Sequence, residues 1–299
     1  MKTSHIILAL LALLALGGGA YALTQFGNTT DVAVDPMDTD TMPVEPDGGI
    51  GDGAEPLDEL LGEQTPADNL AYASETIIGQ SVDGATITAY HFGNGTEEIL
   101  LIGGTHGSDA PNTTALANEL RTYFAASETT VPANTRVTII PTVNPDGLAD
   151  GSRFNTNNVD LNRNFACDWS ATSMWREQEV SGGTAAFSEP EAVAIRDYVA
   201  EVNVIGTIVW FAAEGKVYPS ACEGVPSRAS AELAATFATA AGYPADAEFD
   251  AYRINGDMVN WMAGQGIPAI SVLLTNRTGT ELQKNQAGVA AALEYLSAN

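Results

Sequence analysis

His106 and Asp109 stand three residues apart in the run from Gly103 to Asn112, GGTHGSDAPN. An imidazole and a carboxylate at that spacing can share a metal ion, or can simply be a hydrogen-bonded surface pair, so the spacing alone fixes no chemistry. The chain contains three histidines, His5, His91 and His106, so a site that needs a second histidine beyond residue 106 cannot be completed. His91 falls in a strand-like stretch, where a histidine is more often packed than functional. Cys167 and Cys222 are the only cysteines. In an oxidising compartment such an isolated pair reads as one disulfide; the alternative is two free structural thiols.

Other polar phrases follow His106 and Asp109 in a fixed order: Asn144-Pro145-Asp146-Gly147, Arg153, Val159-Asp160-Leu161-Asn162-Arg163-Asn164-Phe165, and Ser188-Glu189-Pro190-Glu191. This ordered set resembles the carboxypeptidase A type of zinc metallopeptidases, with most similarity to the bacterial branch that includes murein-peptide amidases. The resemblance runs over roughly residues 70–299. It implies a single carboxypeptidase-like domain of the phosphorylase/hydrolase-like kind, α/β, with a mixed central sheet flanked by helices. It further implies His106 as first zinc ligand and Asp109 in place of the family's glutamate, Asn162 and Arg163 as the grip on a terminal carboxylate, and Arg153 as the oxyanion arginine. By the same resemblance Tyr252 is the tyrosine that closes over substrate and Trp261 a framework residue, and Cys167 and Cys222 join the segments that border the cleft.

Two positions depart from the family pattern. A second histidine ligand belongs in a phrase like W-H-S, where this chain has Trp210-Phe211-Ala212. A general-base glutamate belongs in a phrase like P-A-I-T-V-E-L, where Pro268-Ala269-Ile270-Ser271-Val272-Leu273-Leu274 puts leucine at Leu273, or at Leu274 if the strand shifts by one. A general base contributes about 10²–10⁴-fold in rate, and bound zinc lowers the pKa of water from about 15.7 to about 7. Without both, ordinary peptide hydrolysis is not expected. Zinc, the cofactor of the family, is expected to be absent or weakly held at His106 and Asp109.

Three readings follow. The first is a module that binds peptides with a free C-terminus, cell-wall peptides among them, without cutting. The second is a working hydrolase whose metal site is rebuilt with Glu214 or Glu223. The third is a tethered structural domain with a relic cleft.

Charge narrows the partners. With 38 acidic against 12 basic residues the chain carries a formal charge of -26, which repels nucleic acid and reads as solubility rather than as a binding patch. Lys2, the apolar run from Ile6 to Leu16 and Ala20-Tyr21-Ala22 have the order of a secretory signal, or of an uncleaved anchor, over residues 1–22. Either puts the remainder outside the cytoplasm, with any membrane contact made only through that segment. Residues 23–68 are rich in acidic residues, Pro and Gly, with no Lys or Arg, and read as an extended linker. Residues 69–299 form the domain.

The elements that must position these residues alternate between short apolar runs and helical patterns. Strands are expected over 86–91, 98–102, 136–143, 204–211 and 268–274, and helices over 113–127, 188–200 and 287–296. Ser188 is expected as an N-cap with Glu191 completing a capping box. His106 then falls just beyond a strand, at the carboxyl end of the sheet, where open α/β sheets carry their sites.

Overall fold

The computed structural model describes residues 74–127 and 130–299. The segments read as a signal or anchor and as an acidic linker lie outside the described residues, as do the first residues of the domain.

Four apolar runs supply the middle of the sheet. β3 (Glu97–Ile102), β4 (Thr135–Ile140), β7 (Asn203–Ala212) and β9 (Ala269–Leu274) lie parallel to one another in the order β4, β3, β7, β9. Parallel strands are covered on both faces and so read as continuous apolar stretches rather than alternating ones; Ile99, Leu100, Leu101 and Ile102 are all fully buried. Antiparallel strands complete both sides. β1 (Ser74–Gln80) pairs with β2 (Thr86–Phe92), which pairs with β4, and β8 (Lys216–Pro219) pairs with β9. The sheet is therefore seven-stranded and mixed, as expected.

Helices cover both faces. Alternate side chains of β7 and β9 go to opposite cores: Ile208, Trp210, Ile270, Val272 and Leu274 to one, Val209, Phe211 and Ala269 to the other. The first core is closed by α1 (Pro111–Ala126), α4 (Arg228–Ala241) and α6 (Leu282–Ser297), the second by α3 (Pro190–Glu201) and α5 (Met258–Gly264). A five-residue α2 (Pro145–Ala149) follows β4, and a hairpin of β5 (Thr172–Trp175) and β6 (Gln178–Ser181) stands apart from the main sheet.

Boundaries shift where tertiary partners outweigh local signals. β4 ends at Ile140, before Pro141, and α6 begins at Leu282, five residues ahead of the apolar pattern. The expected capping box does not form. α3 is capped at Glu189 with no side-chain cap, Ser188 Oγ donates to Glu189 Oε1 at 2.7 Å, and Pro190 opens the helix. Glu191 is fully buried, and its carboxylate accepts from Val82 N at 3.2 Å and from Asn155 Nδ2 at 3.2 Å. A buried carboxylate goes to the donors that satisfy it, and the helix end is left to proline.

Candidate functional site

Three parallel strands end at one place. β3 runs into the loop with His106, while β7 and β9 bring Phe211 and Leu273 side by side as cross-strand partners. Leu273 lines the cleft and Leu274 packs into the opposite core, which settles the register that the sequence left open. Phe211 is buried with Leu273 packed against the same cluster, and its ring centroid lies 5.3 Å from that of His106. The two positions that depart from the family pattern thus form one continuous apolar wall.

The loop after β3 passes close to the segment following α2. Gly107 has φ +46°, and a Cβ there would lie 2.4 Å from Ser152 O, so glycine is required for the approach. That approach sets His106 beside Arg153. His106 Nε2 is 2.8 Å from Arg153 Nη2 and 3.7 Å from Asp160 Oδ1, while its Nδ1 is buried without a partner. A guanidinium N–H can only donate, so Nε2 is the acceptor and the ring proton sits on Nδ1. Burial first, and Arg153 second, hold the imidazole well below its ordinary pKa, and it is neutral.

Arg153 is the hub of the cluster. Nε donates to Asp160 Oδ2 at 3.0 Å and Nη1 to Asp109 Oδ2 at 3.1 Å, and the Trp175 ring lies 4.3 Å from its guanidinium carbon. Asp109 also meets Arg277, with Nε 3.4 Å from Oδ1 and Nη2 3.4 Å from Oδ2. The oxyanion arginine expected at Arg153 is therefore committed to two carboxylates and an imidazole.

Asp160 is fully buried. Burial alone would raise its pKa, but Arg153 and Arg163 outweigh it and hold the carboxyl at about 2. Because the folded value is depressed, this stability is present above the ordinary 3.8 and is lost as pH falls toward about 2. The expected contribution is about 2 kcal/mol. Denaturant midpoints of the wild type and Asp160→Asn, measured from pH 5 to pH 2, should converge as the pH falls; a constant gap would mean that the carboxylate is not held this way.

Arg163 sits in a 3-10 turn, Leu161–Arg163, capped by Asp160, whose Oδ1 accepts from Asn162 N at 3.1 Å. It is 1% exposed. Nη1 donates to Asn162 O at 2.8 Å and Nη2 to Met174 O at 3.0 Å, Nε has no partner, and the residue makes no ion pair among the described residues. Gly256, with φ +64°, carries the neighbouring chain across it; a Cβ there would lie 2.1 Å from Arg163 O. Asn162 is more engaged than expected: Nδ2 donates to Asp257 Oδ2 at 2.6 Å and Oδ1 accepts from Met258 N at 3.2 Å, tying the turn to the start of α5.

The cleft is a cavity of about 340 Å³ lined by His106, Arg153, Asn162, Arg163, Phe211, Leu273 and Tyr252, together with Trp175, Tyr218, Phe249 and Asp257. Tyr252 stands at its wall, edge-on to Phe249, whereas Trp261 packs on Phe165 and Phe187 inside the second core. Cys167 and Cys222 are bonded, as expected. His91 is remote in role, buried on β2 between Thr138 and Thr76.

Neither Glu214 nor Glu223 lines the cavity. Glu214 accepts from the Tyr218 hydroxyl at 2.7 Å and pairs with Lys216 at 3.4 Å, so this carboxylate is held by neighbours from its own hairpin. The geometry therefore gives no support to a ligand rebuilt from either residue.

The residues present do not fit a zinc centre. A histidine that binds zinc through one nitrogen normally donates its other N–H to a carboxylate or carbonyl; here Arg153 Nη2 meets Nε2 at 2.8 Å, ahead of the Asp160 carboxylate at 3.7 Å, and the second histidine position holds Phe211. Both Asp109 oxygens face guanidinium groups. Among the described residues no three His, Cys, Asp or Glu side chains are grouped so as to hold a metal ion.

Three members of the cluster escaped sequence reasoning. Trp175 lies in a short hairpin with no sequence signal of its own, Asp160 was visible only as part of its motif, and Arg277 follows β9 in an unremarked loop. The one available hint for Arg277 is the scarcity of cations, 12 in the whole chain.

A sequence profile of the zinc carboxypeptidase family matches residues 70–283. Murein peptide amidase A of Escherichia coli K12 is 33% identical over 109 residues, covering 33% of this chain and 42% of the relative, so the match spans about two fifths of that protein's length. The solved murein-tripeptide amidase of Escherichia coli O157 has a TM-score of 0.59 at 20% identity, over 77% of this chain and 95% of that one. Bovine thrombin-activatable fibrinolysis inhibitor, solved with tick carboxypeptidase inhibitor, has a TM-score of 0.64 at 18% identity, over 76% and 90%. At these identities the solved structures speak to the fold.

Proposed function

From the premise that the chain belongs to the zinc carboxypeptidase family, we propose that its domain is a metal-independent receptor for the free C-terminal carboxylate of peptides, held outside the cytoplasm by or after its N-terminal segment, and that it does not cut what it binds. Cell-wall peptides are the ligands that the murein peptide amidase relatives suggest.

The observation that carries the reading is Arg163. A buried guanidinium is costly unless paired, yet this one donates only to carbonyls, its buried Nε has no partner, and the residue lines the cavity. Asp160 and Asp257 balance Arg163 only through space; a carboxylate entering the cleft supplies a direct acceptor, in the geometry that the guanidinium fork suits. Hydrolysis has no matching support at the positions the family pattern uses, because the side chains of Phe211 and Leu273 have no atom that can accept a proton from water.

Calorimetric titration of the full chain with a short peptide, as free acid and as C-terminal amide, tests this. Each charge-assisted hydrogen bond contributes about 1.5–3 kcal/mol, so the free acid is expected to bind at least about tenfold more tightly. The peptide should be recovered intact, and chelator should change nothing. Equal affinity for acid and amide, or cleavage that chelator abolishes, would overturn the proposal.

A further inference from the structure

The geometry points to Arg277 as a built-in replacement for the family's metal: its guanidinium, together with that of Arg153, neutralises Asp109 and closes the site to divalent cations. This rests on the metal-independent reading above and names the residue that makes it possible.

Asp109 is the carboxylate at the family's ligand position, three residues from His106; it does not itself line the cavity. Its side chain is 21% exposed and faces the guanidinium groups of Arg153 and Arg277. Arg153 supplies one donor at 3.1 Å but divides its charge with fully buried Asp160. Arg277 reaches the remaining side, with nitrogens 3.4 Å from each carboxylate oxygen. The carboxylate is thereby flanked by two cations: Arg153 Nη1 and Arg277 Nη2 both donate to Oδ2, while Arg277 Nε lies 3.4 Å from Oδ1 without a hydrogen bond.

Arg277 owes its place to the loop after β9. Asn112, at the start of α1, donates from Nδ2 to Asn276 O at 2.8 Å and to Gly279 O at 2.9 Å. Asn276 Oδ1 accepts from Thr278 N at 2.8 Å and Gly279 N at 2.7 Å, closing a tight turn with Arg277 inside it. The arginine is thus presented by a hydrogen-bonded turn anchored to the helix that begins two residues after Asp109. A bound divalent metal would add two positive charges beside Arg153 and Arg163, where Arg277 adds one. Arg277 is a positioning residue, acting on ligand through Asp109 and Arg153.

The test is zinc affinity in the full chain, read by titration with a competing chromophoric chelator. Each variant is paired with its His106→Ala counterpart, so that zinc held by carboxylates elsewhere cancels. Phe211→His supplies a third donor; removing Arg277 in that background should free Asp109. Relative to Phe211→His alone, Phe211→His/Arg277→Gln is expected to bind zinc about threefold to tenfold more tightly, the scale of a partly exposed ion pair. Phe211→His/Arg277→Lys, which keeps the charge, should stay near the lower affinity. Equal affinities with Arg, Lys and Gln at 277 would overturn the role of Arg277 while leaving the metal-independent reading intact. Stoichiometric His106-dependent zinc in the wild type would overturn that reading itself. Should Phe211→His fail to fold, Arg277→Gln is compared with Arg277→Gln/His106→Ala. A zinc-dependent rise in melting temperature that needs His106 then supports the role, and its absence overturns it.

Discussion

Arg163→Met is expected to lower the affinity for a free-carboxylate peptide by at least about 30-fold, because truncating one partner of a buried charge pair removes about 2–5 kcal/mol. The same substitution should leave the affinity for the amidated peptide unchanged, since the amide does not engage the guanidinium as an ion. Part of the effect on stability is separable. Arg163 also donates to Asn162 O and Met174 O, so its loss leaves two carbonyls short of a donor and lowers the melting temperature. Arg163→Lys distinguishes the contributions: it keeps a charge but loses the planar fork, and its affinity should fall between wild type and Met. Calorimetry on folded variants checks this. If Arg163→Met binds the free acid as well as wild type does, the carboxylate is held elsewhere and the proposed function fails with it.

The contrast between Arg163 and Arg277 shows what the sequence could reveal. Arg163 is embedded in a run, Asp160 to Phe165, whose local hydrogen bonds build the turn that presents it; motif and geometry are the same object. Arg277 acts on a residue 168 positions away, and nothing in its own neighbourhood states that Asp109 needs a second cation. The apolar strands β3, β7 and β9 were legible because buried parallel strands leave a continuous hydrophobic trace. The hairpin with Trp175 was not, because its four-residue strands are mostly exposed and gain their place from Arg153 and Arg163. Leu273 and Leu274 illustrate the limit most directly. Both are leucine in a β-run, and only pairing with Phe211 decides which one faces the cleft. The expected capping box failed for the converse reason: a correct local signal was outweighed when Glu191 found buried donors in Val82 and Asn155.

Cys167→Ser/Cys222→Ser is expected to remove about 4 kcal/mol of stability. The bond closes a loop of 55 residues, and the chain-entropy relation for a loop of that size gives about this value. For a domain of this length each kcal/mol moves the melting temperature by about 2–4 °C, so the midpoint should fall by about 10 °C, both in the variant and in wild type under reductant. A functional consequence should follow because of where the bond lies. Cys167 is four residues beyond Arg163, and its carbonyl accepts from Gly256 N at 2.7 Å, while Phe165 N donates to Gly256 O at 3.0 Å. Gly256 in turn lies against Arg163. Cys222 belongs to the segment after β8 whose Ser220 and Ala221 line the cleft. The disulfide therefore joins the turn bearing Arg163 to the cleft-lining segment of Ser220 and Ala221, and cutting it is expected to loosen both. Peptide affinity should fall on reduction even at temperatures where the domain remains folded, and the loss should come with faster dissociation, since the fixed geometry of Arg163 retains the ligand. If reduction lowers the melting temperature but leaves peptide affinity untouched, the bond is a stability staple alone, and the turn bearing Arg163 is held sufficiently by Gly256 and Asp257.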